Sequence, residues 1–220
     1  MRRLALLIWG TDFDPALRPL LAGERASFNG QAVHCEAFRL RGPLPSAELT
    51  VAAFGPRMIQ AAAEIADRVV LNLVTPDQVA HLHAQLADAA AEAGRPPPPI
   101  TVWVPVGEAG SANEAQLAGQ LAVYLPAPGY AEMLLAAGFG DLVERARKGA
   151  RRQELQGAIT RDVLDAIGAI GPREAIAARL AAYRAAGADT VAVVPATGDD
   201  PAGRRALAAV ASATRSGSAT

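Results

Sequence analysis

Thr50-Val51-Ala52-Ala53-Phe54-Gly55-Pro56-Arg57-Met58, continued by Ala63-Glu64-Ile65-Ala66-Asp67-Arg68-Val69-Val70-Leu71-Asn72, is the stretch whose reading decides the fold. Leu49 to Ala53 is a short apolar run and reads as a strand. Phe54-Gly55-Pro56 is a turn, and Pro56 suits the start of a helix, where a missing N–H breaks no hydrogen bond. That helix is expected from about Arg57 to Ala66, and Arg68 to Asn72 is a second strand. Both strands are apolar at successive positions rather than alternate ones. Such strands are covered on both faces, which is the condition of parallel strands between helices.

The same order recurs outward from this stretch. Thr75 can cap a helix running to about Ala93, with Val79, Leu82 and Leu86 at helical spacing. A third strand, Ile100 to Val104, follows the stiff run Pro96 to Pro99. A helix from Pro172 to Ala186 places Ile176, Leu180 and Tyr183 on one face and ends at Gly187, a C-cap candidate. Thr190 to Val194 is the fourth strand, a last helix follows Pro201, and Ser216 to Thr220 is expected to fray. Alternating strands and helices imply right-handed βαβ units, hence an α/β fold. A doubly wound sheet and a (β/α)8 barrel both satisfy the pattern.

Two stretches depart from it. Arg25 to Leu40 reads as a hairpin: Ala26-Ser27-Phe28, a turn at Asn29-Gly30, then Ala32 to Phe38. Asn113 to Ile170 is a helical insertion with expected helices at Ala115–Tyr124, Ala131–Ala137 and Asp141–Ala146, and more to Ile167. Insertions at strand ends are where lids and pockets are built, which makes Leu134 and Phe139 candidates for a pocket wall.

Composition excludes several classes. Twenty-one basic against 22 acidic residues leave no excess charge to draw nucleic acid or an anionic membrane. Cys35 is the one cysteine, so no intrachain disulfide forms, which fits a reducing cytoplasm. Leu4 to Trp9 is too short for a secretory core and is a candidate for one further strand. No apolar run approaches the roughly 20 residues of a membrane span.

The blocks taken together resemble the luciferase-like monooxygenases: Leu20 to Arg25 followed by a hairpin with Phe28 and Gly30, the Thr50–Met58 turn, Ala63 to Asn72, and Tyr183 to Pro195. Arg68 stands where that family often has glycine. The resemblance implies a (β/α)8 barrel and a flavin-type cofactor, with the deazaflavin (F-420) branch similar in flavour and FMN the alternative. It aligns this chain with strands five to eight and the preceding hairpin, so a partial TIM-type barrel is expected, organised as one domain over 1–220 with the insertion at 113–170. The implied activity is hydride transfer between cofactor and a small organic substrate; a homodimer is expected because an open half-barrel leaves strand edges and apolar faces uncovered. The other readings are a non-catalytic flavin-binding or structural half-barrel dimer, and an inactive truncated product.

The expected cofactor contacts lie at strand ends. Ala53, Phe54, Gly55 and Pro56 form the turn, where Gly55 allows close backbone approach and the following helix start offers free N–H groups. Arg57 can add a charge-assisted contact, though a solvent-facing role is favoured, and Asn72 lines the same face or caps a loop. Trp103, inside an apolar strand, is assigned to the core. His81 and His83 are two apart on a helix and do not converge on a metal. Asp199-Asp200 reads as a capping pair, and Arg145, Arg147, Lys148, Arg151 and Arg152 as a solvated face, with anion binding the lesser reading. No residue presents itself as the proton donor.

Overall fold

The computed structural model describes residues 4–5, 14–30, 34–44 and 46–216. Their contacts divide into two compact units, Met1–Val70 with Ala84–Pro99, and Leu71–His83 with Ile100–Thr220.

The first unit carries three parallel strands, β1 (Leu4–Ala5), β4 (Leu49–Ala52) and β5 (Arg68–Asn72), whose last two residues belong to the second unit. Of the candidate strand at Leu4 to Trp9, Leu4 and Ala5 pair with Leu49 and Thr50, and the remainder lies outside the described residues. A helix with no sequence expectation, α1 (Asp14–Ala22), precedes the hairpin of β2 (Ala26–Asn29) and β3 (His34–Phe38). The hairpin pairs antiparallel, with Asn29 opposite His34; Gln31 to Val33 lie outside the described residues. Helix α2 (Pro56–Ile65) returns the chain from β4 to β5 and buries Ile59 and the small residues Ala61 to Ala63. Its C-terminal carbonyls are satisfied by Arg95, whose guanidinium donates to Ala63, Glu64 and Ala66. The Asp67 carboxylate accepts the Leu49 N–H at 2.8 Å, tying the start of β5 to the start of β4.

Helix α3 (Pro76–Glu92) begins in the second unit and opens with a reciprocal cap. The Thr75 hydroxyl accepts the Gln78 N–H at 3.2 Å, and the Gln78 side chain accepts the Thr75 N–H at 3.0 Å. Strand β6 (Ile100–Gly107) lies between β7 (Ala169–Ile170) and β8 (Thr190–Pro195), parallel to both. Register runs from Thr101 opposite Thr190 to Val106 opposite Pro195. The short β7, at the end of the helical insertion, had no counterpart in the sequence reading because two residues carry no periodicity. The insertion holds α4 (Ser111–Tyr124), α5 (Tyr130–Ala136), α6 (Gly140–Arg147), α7 (Arg152–Ala158) and α8 (Arg161–Ile167). These enclose their own core of Leu117, Leu121, Leu134, Val143, Leu155 and Leu164. Helix α9 (Arg173–Ala185) ends at Gly187, whose φ of +104° is the left-handed conformation expected of a C-cap. A Cβ there would also lie 2.8 Å from the His83 ring. Tyr183, fully buried on α9, donates its hydroxyl to the Val74 carbonyl at 2.7 Å, and burial pushes its phenol up to about 12. A short 3-10 turn (Pro201–Gly203) leads into α10 (Arg204–Ser216).

Candidate functional site

A cleft of about 440 Å³ opens in the second unit between the β6–β8 surface and the helical insertion. Its floor follows from the pleat of β6. Val102, Val104 and Val106 point into the core and are fully buried, so Trp103 and Pro105 must face the other way. Trp103 is 44% exposed and Val194 of β8 41%, both lining the cleft, so the assignment of Trp103 to the core is corrected. A continuous apolar run signalled two covered faces, but one face of β6 is the floor of a cleft. Gln120, Val123 and Tyr124 of α4 form the opposite wall.

Four polar side chains enter this apolar space: Asn72, Gln120, Tyr124 and Arg152. Asn72 ends β5, and the next residue, Leu73, has φ +57°, a left-handed conformation that turns the chain sharply away. The Asn72 amide nitrogen donates to the Tyr130 hydroxyl at 3.4 Å, and the Tyr124 and Tyr130 rings pack with centroids 4.6 Å apart. Burial raises the Tyr130 phenol above its ordinary value, so it stays neutral. Arg152 donates Nε and Nη2 to the Gly119 carbonyl, at 3.3 and 2.9 Å.

The basic cluster is thereby divided. Arg147 pairs with Glu132 at 3.0 Å and Lys148 with Glu144 at 3.4 Å, while Arg145, Arg151 and Arg152 are exposed; of the five, Arg152 also lines the cleft. Leu134 and Phe139 are not pocket residues: Leu134 is buried in the insertion's core and Phe139 packs against that core. Helix packing thus accounts for the insertion's apolar character. Asp199 and Asp200 are caps, as expected. The Asp199 carboxylate accepts the N–H groups of Ala112 and Asn113, both at 2.9 Å, and Asp200 accepts those of Arg205 and Ala206.

The sequence-derived cofactor set falls in two places. Ala53 is buried, Phe54 half-buried, and Gly55, Pro56 and Arg57 exposed at the start of α2 in the first unit; Asn72 lies in the cleft of the second. Gly55 has an ordinary φ of −84°, and a Cβ there would meet nothing within 4 Å. The start of α2 has no side-chain cap and no acidic residue in its first turn. Among the described residues Arg57 has neither hydrogen-bond nor ion-pair partner.

A family model described as luciferase-like monooxygenase matches residues 12–190. The chain belongs to the luciferase-like monooxygenase family. Among curated relatives, a 5,10-methylenetetrahydromethanopterin reductase of Methanolobus tindarius is 25% identical over 173 residues, covering 75% of this chain and 53% of that protein. A coenzyme F-420-dependent tetrahydromethanopterin reductase from Methanopyrus kandleri superposes with a TM-score of 0.68 at 19% identity, covering 89% of this chain and 58% of that one. An F-420-dependent secondary alcohol dehydrogenase gives 0.62 at 15% identity, covering 88% and 58%. The chain thus spans about half the length of these relatives. The likeness in structure confirms the fold, a partial (β/α)8-type arrangement in which β4, β5, β6 and β8 follow one another with helices between.

Within this member of the family, sequence reasoning missed Gln120, Tyr124, Tyr130 and Val194, and named Arg152 only as one of a solvated basic cluster. A signal for the floor was present: valines at 102, 104 and 106 claim one face of β6 for the core, so an aromatic between them belongs to the other. Nothing in the sequence set Arg152 apart from the other four cations of its cluster, because its place beside the cleft depends on how α7 packs beside α4.

Proposed function

We propose that this chain serves an oxidoreductase that moves hydride between a deazaflavin (F-420) or FMN and a small organic substrate. Family membership supports the reaction class, and the reductase and dehydrogenase relatives support the cofactor. The observation that carries the reading onto this chain is the open start of α2. An arginine in the first turn of a helix sits unfavourably at the positive end of its dipole. Arg57 does so without a carboxylate to offset it. A cofactor phosphate supplies the missing negative charge, meeting the Arg57 guanidinium and its backbone N–H, since Pro56 has no N–H and that of Met58 is bonded to the Gly55 carbonyl, while Gly55 leaves the approach unobstructed. Ala53, Phe54 and Pro56 shape that turn; Asn72, bonded to Tyr130, belongs to the cleft of the second unit.

The cofactor, when bound, supplies the hydride chemistry. The chain's own residues bind and orient: Trp103, Val123 and Val194 give the cleft that receives the substrate an apolar lining. The neutral Tyr130 phenol fixes the Asn72 amide. On this reading the protein acts in the cytoplasm, consistent with the single cysteine, and as a homodimer. Among the described residues, no helix is long and apolar enough to cross a membrane.

Fluorescence titration with the deazaflavin and, separately, with FMN tests the reading. Saturable binding should weaken at least about tenfold in Gly55→Val with only a small loss of thermal stability, since the added side chain meets open space and the cost is that of a poorer N-cap residue. Absence of binding to either, or binding indifferent to the substitution, removes the cofactor assignment. Sedimentation of the same sample reports the assembly.

A further inference from the structure

Among the described residues, Arg152 is the one charged side chain lining an otherwise mainly apolar cleft. Its side chain is exposed at the rim, where the low-dielectric wall of the cleft focuses the field of the cation toward the space beside it. Two of its N–H groups are spent on the Gly119 carbonyl, which fixes the guanidinium against α4. Among the described residues, no carboxylate stands within ion-pairing distance of it, whereas Arg147 and Lys148 of the same run each have one. Arg161, farther along the insertion, is the contrasting case: it is matched to Glu114 and Asp165 at 2.8 Å each. The Arg152 guanidinium keeps Nη1 uncommitted.

We infer that the cleft takes a substrate with an apolar body and a carboxylate end, and that Arg152 is the specificity residue that recognises the carboxylate. The inference rests on the cleft being the substrate pocket of the proposed oxidoreductase. Trp103, Val123 and Val194 cover the apolar body, and Arg152 supplies a charge-assisted hydrogen bond at one end. The same guanidinium chemistry suits the phosphate of a cofactor. In the reading above that phosphate belongs to Arg57 and the start of α2, which leaves Arg152 for the substrate.

Trp103 emission, in a Trp9→Phe background so that a single tryptophan reports, is titrated with decanoate and with 1-decanol, without cofactor. Decanoate is expected to bind about tenfold more tightly than the alcohol, one charge-assisted contact's worth. Arg152→Gln should bring the two to equal affinity while leaving the alcohol unchanged, and Arg152→Lys should keep part of the preference. Equal affinities in the unsubstituted cleft overturn the inference, as does a loss of both ligands together in Arg152→Gln, or no response of Trp103 to either. A parallel titration with FMN and riboflavin separates the two sources of anion. If Arg152→Gln abolishes the preference for FMN and not that for decanoate, the residue serves the cofactor and the inference fails. Failure of the cofactor reading itself shows as no binding of FMN or deazaflavin, and leaves the acid-to-alcohol ratio intact.

Discussion

Two helices begin just after a parallel strand and a glycine-containing turn, α2 after β4 and α4 after β6, and they solve the same electrostatic problem in opposite ways. The first N–H groups of a helix have no partner within it and carry partial positive charge. At α4 the chain supplies its own anion: the Asp199 carboxylate takes the N–H groups of Ala112 and Asn113, and Asn113 bonds back to the Asp199 N–H at 2.9 Å. Gly110 and Gly198 make room for this closure, since a Cβ on Gly110 would stand 2.5 Å from the carboxylate and one on Gly198 would overlap the Ala112 carbonyl. At α2 nothing of the kind happens. Gly55 faces open space, no side chain caps the helix, and Arg57 adds a further positive charge. A helix start closed from within is structural; the open and more positive one is where the proposed function puts an anion from outside.

The glycines give the largest test of this contrast. Gly198→Ala forces a methyl group against backbone and should cost about 1–3 kcal/mol, at the upper end because backbone yields less than a side chain tip. Gly55→Ala should stay within about 0.5 kcal/mol, as expected of an exposed position in ordinary conformation. Urea midpoints of the two variants decide it, and equal costs would end the distinction. Asp199→Ala comes next, with a loss of about 1–2 kcal/mol for a removed cap. Added phosphate should restore part of that stability in the variant, by filling the vacated helix start, and change the parent less at this site.

How far these features were legible in the sequence depends on their range along the chain. The turn at Phe54-Gly55-Pro56, the Thr75 cap and the Gly187 stop are local, and each sits where residue chemistry placed it. Asp199 was recognisable as a cap, but its target lies 86 residues away at Asn113, and no periodicity connects them. Trp103 was misassigned for a related reason. Apolarity says that a face avoids water, and a cleft floor and a packed core have the same signature until the facing elements are known. Leu134 erred in the other direction, since a helix face turned toward the insertion's own core has the same composition as one turned toward a ligand.

The neighbouring cap gives a pH test. Hydrogen bonds from the Ala206 and Arg205 N–H groups, with the charge of Arg205, hold the Asp200 carboxyl below its ordinary value. A group with a lowered folded-state value adds stability that is complete above the unfolded value, about 3.9, and is lost as pH falls through the folded one. The melting temperature should therefore fall more steeply below about pH 4 in the parent than in Asp200→Asn, whose side chain does not titrate. Parallel curves in that window would show that the carboxylate does not contribute through its charge.

Arg57 gives the smallest effect on stability and the most direct reading of the open helix start. If its charge opposes the dipole of α2 and has no partner, Arg57→Gln should stabilise the protein by about 0.3 kcal/mol at low salt, with the gain vanishing as salt rises. The same substitution should weaken FMN at least about fivefold and leave riboflavin, which lacks the phosphate, unchanged. The two signs together are what identify a binding residue: a group kept against a small cost in the free protein and recovered on binding. A variant that is less stable than the parent would place Arg57 in the structural frame, and α2 would then differ from α4 only in lacking a cap.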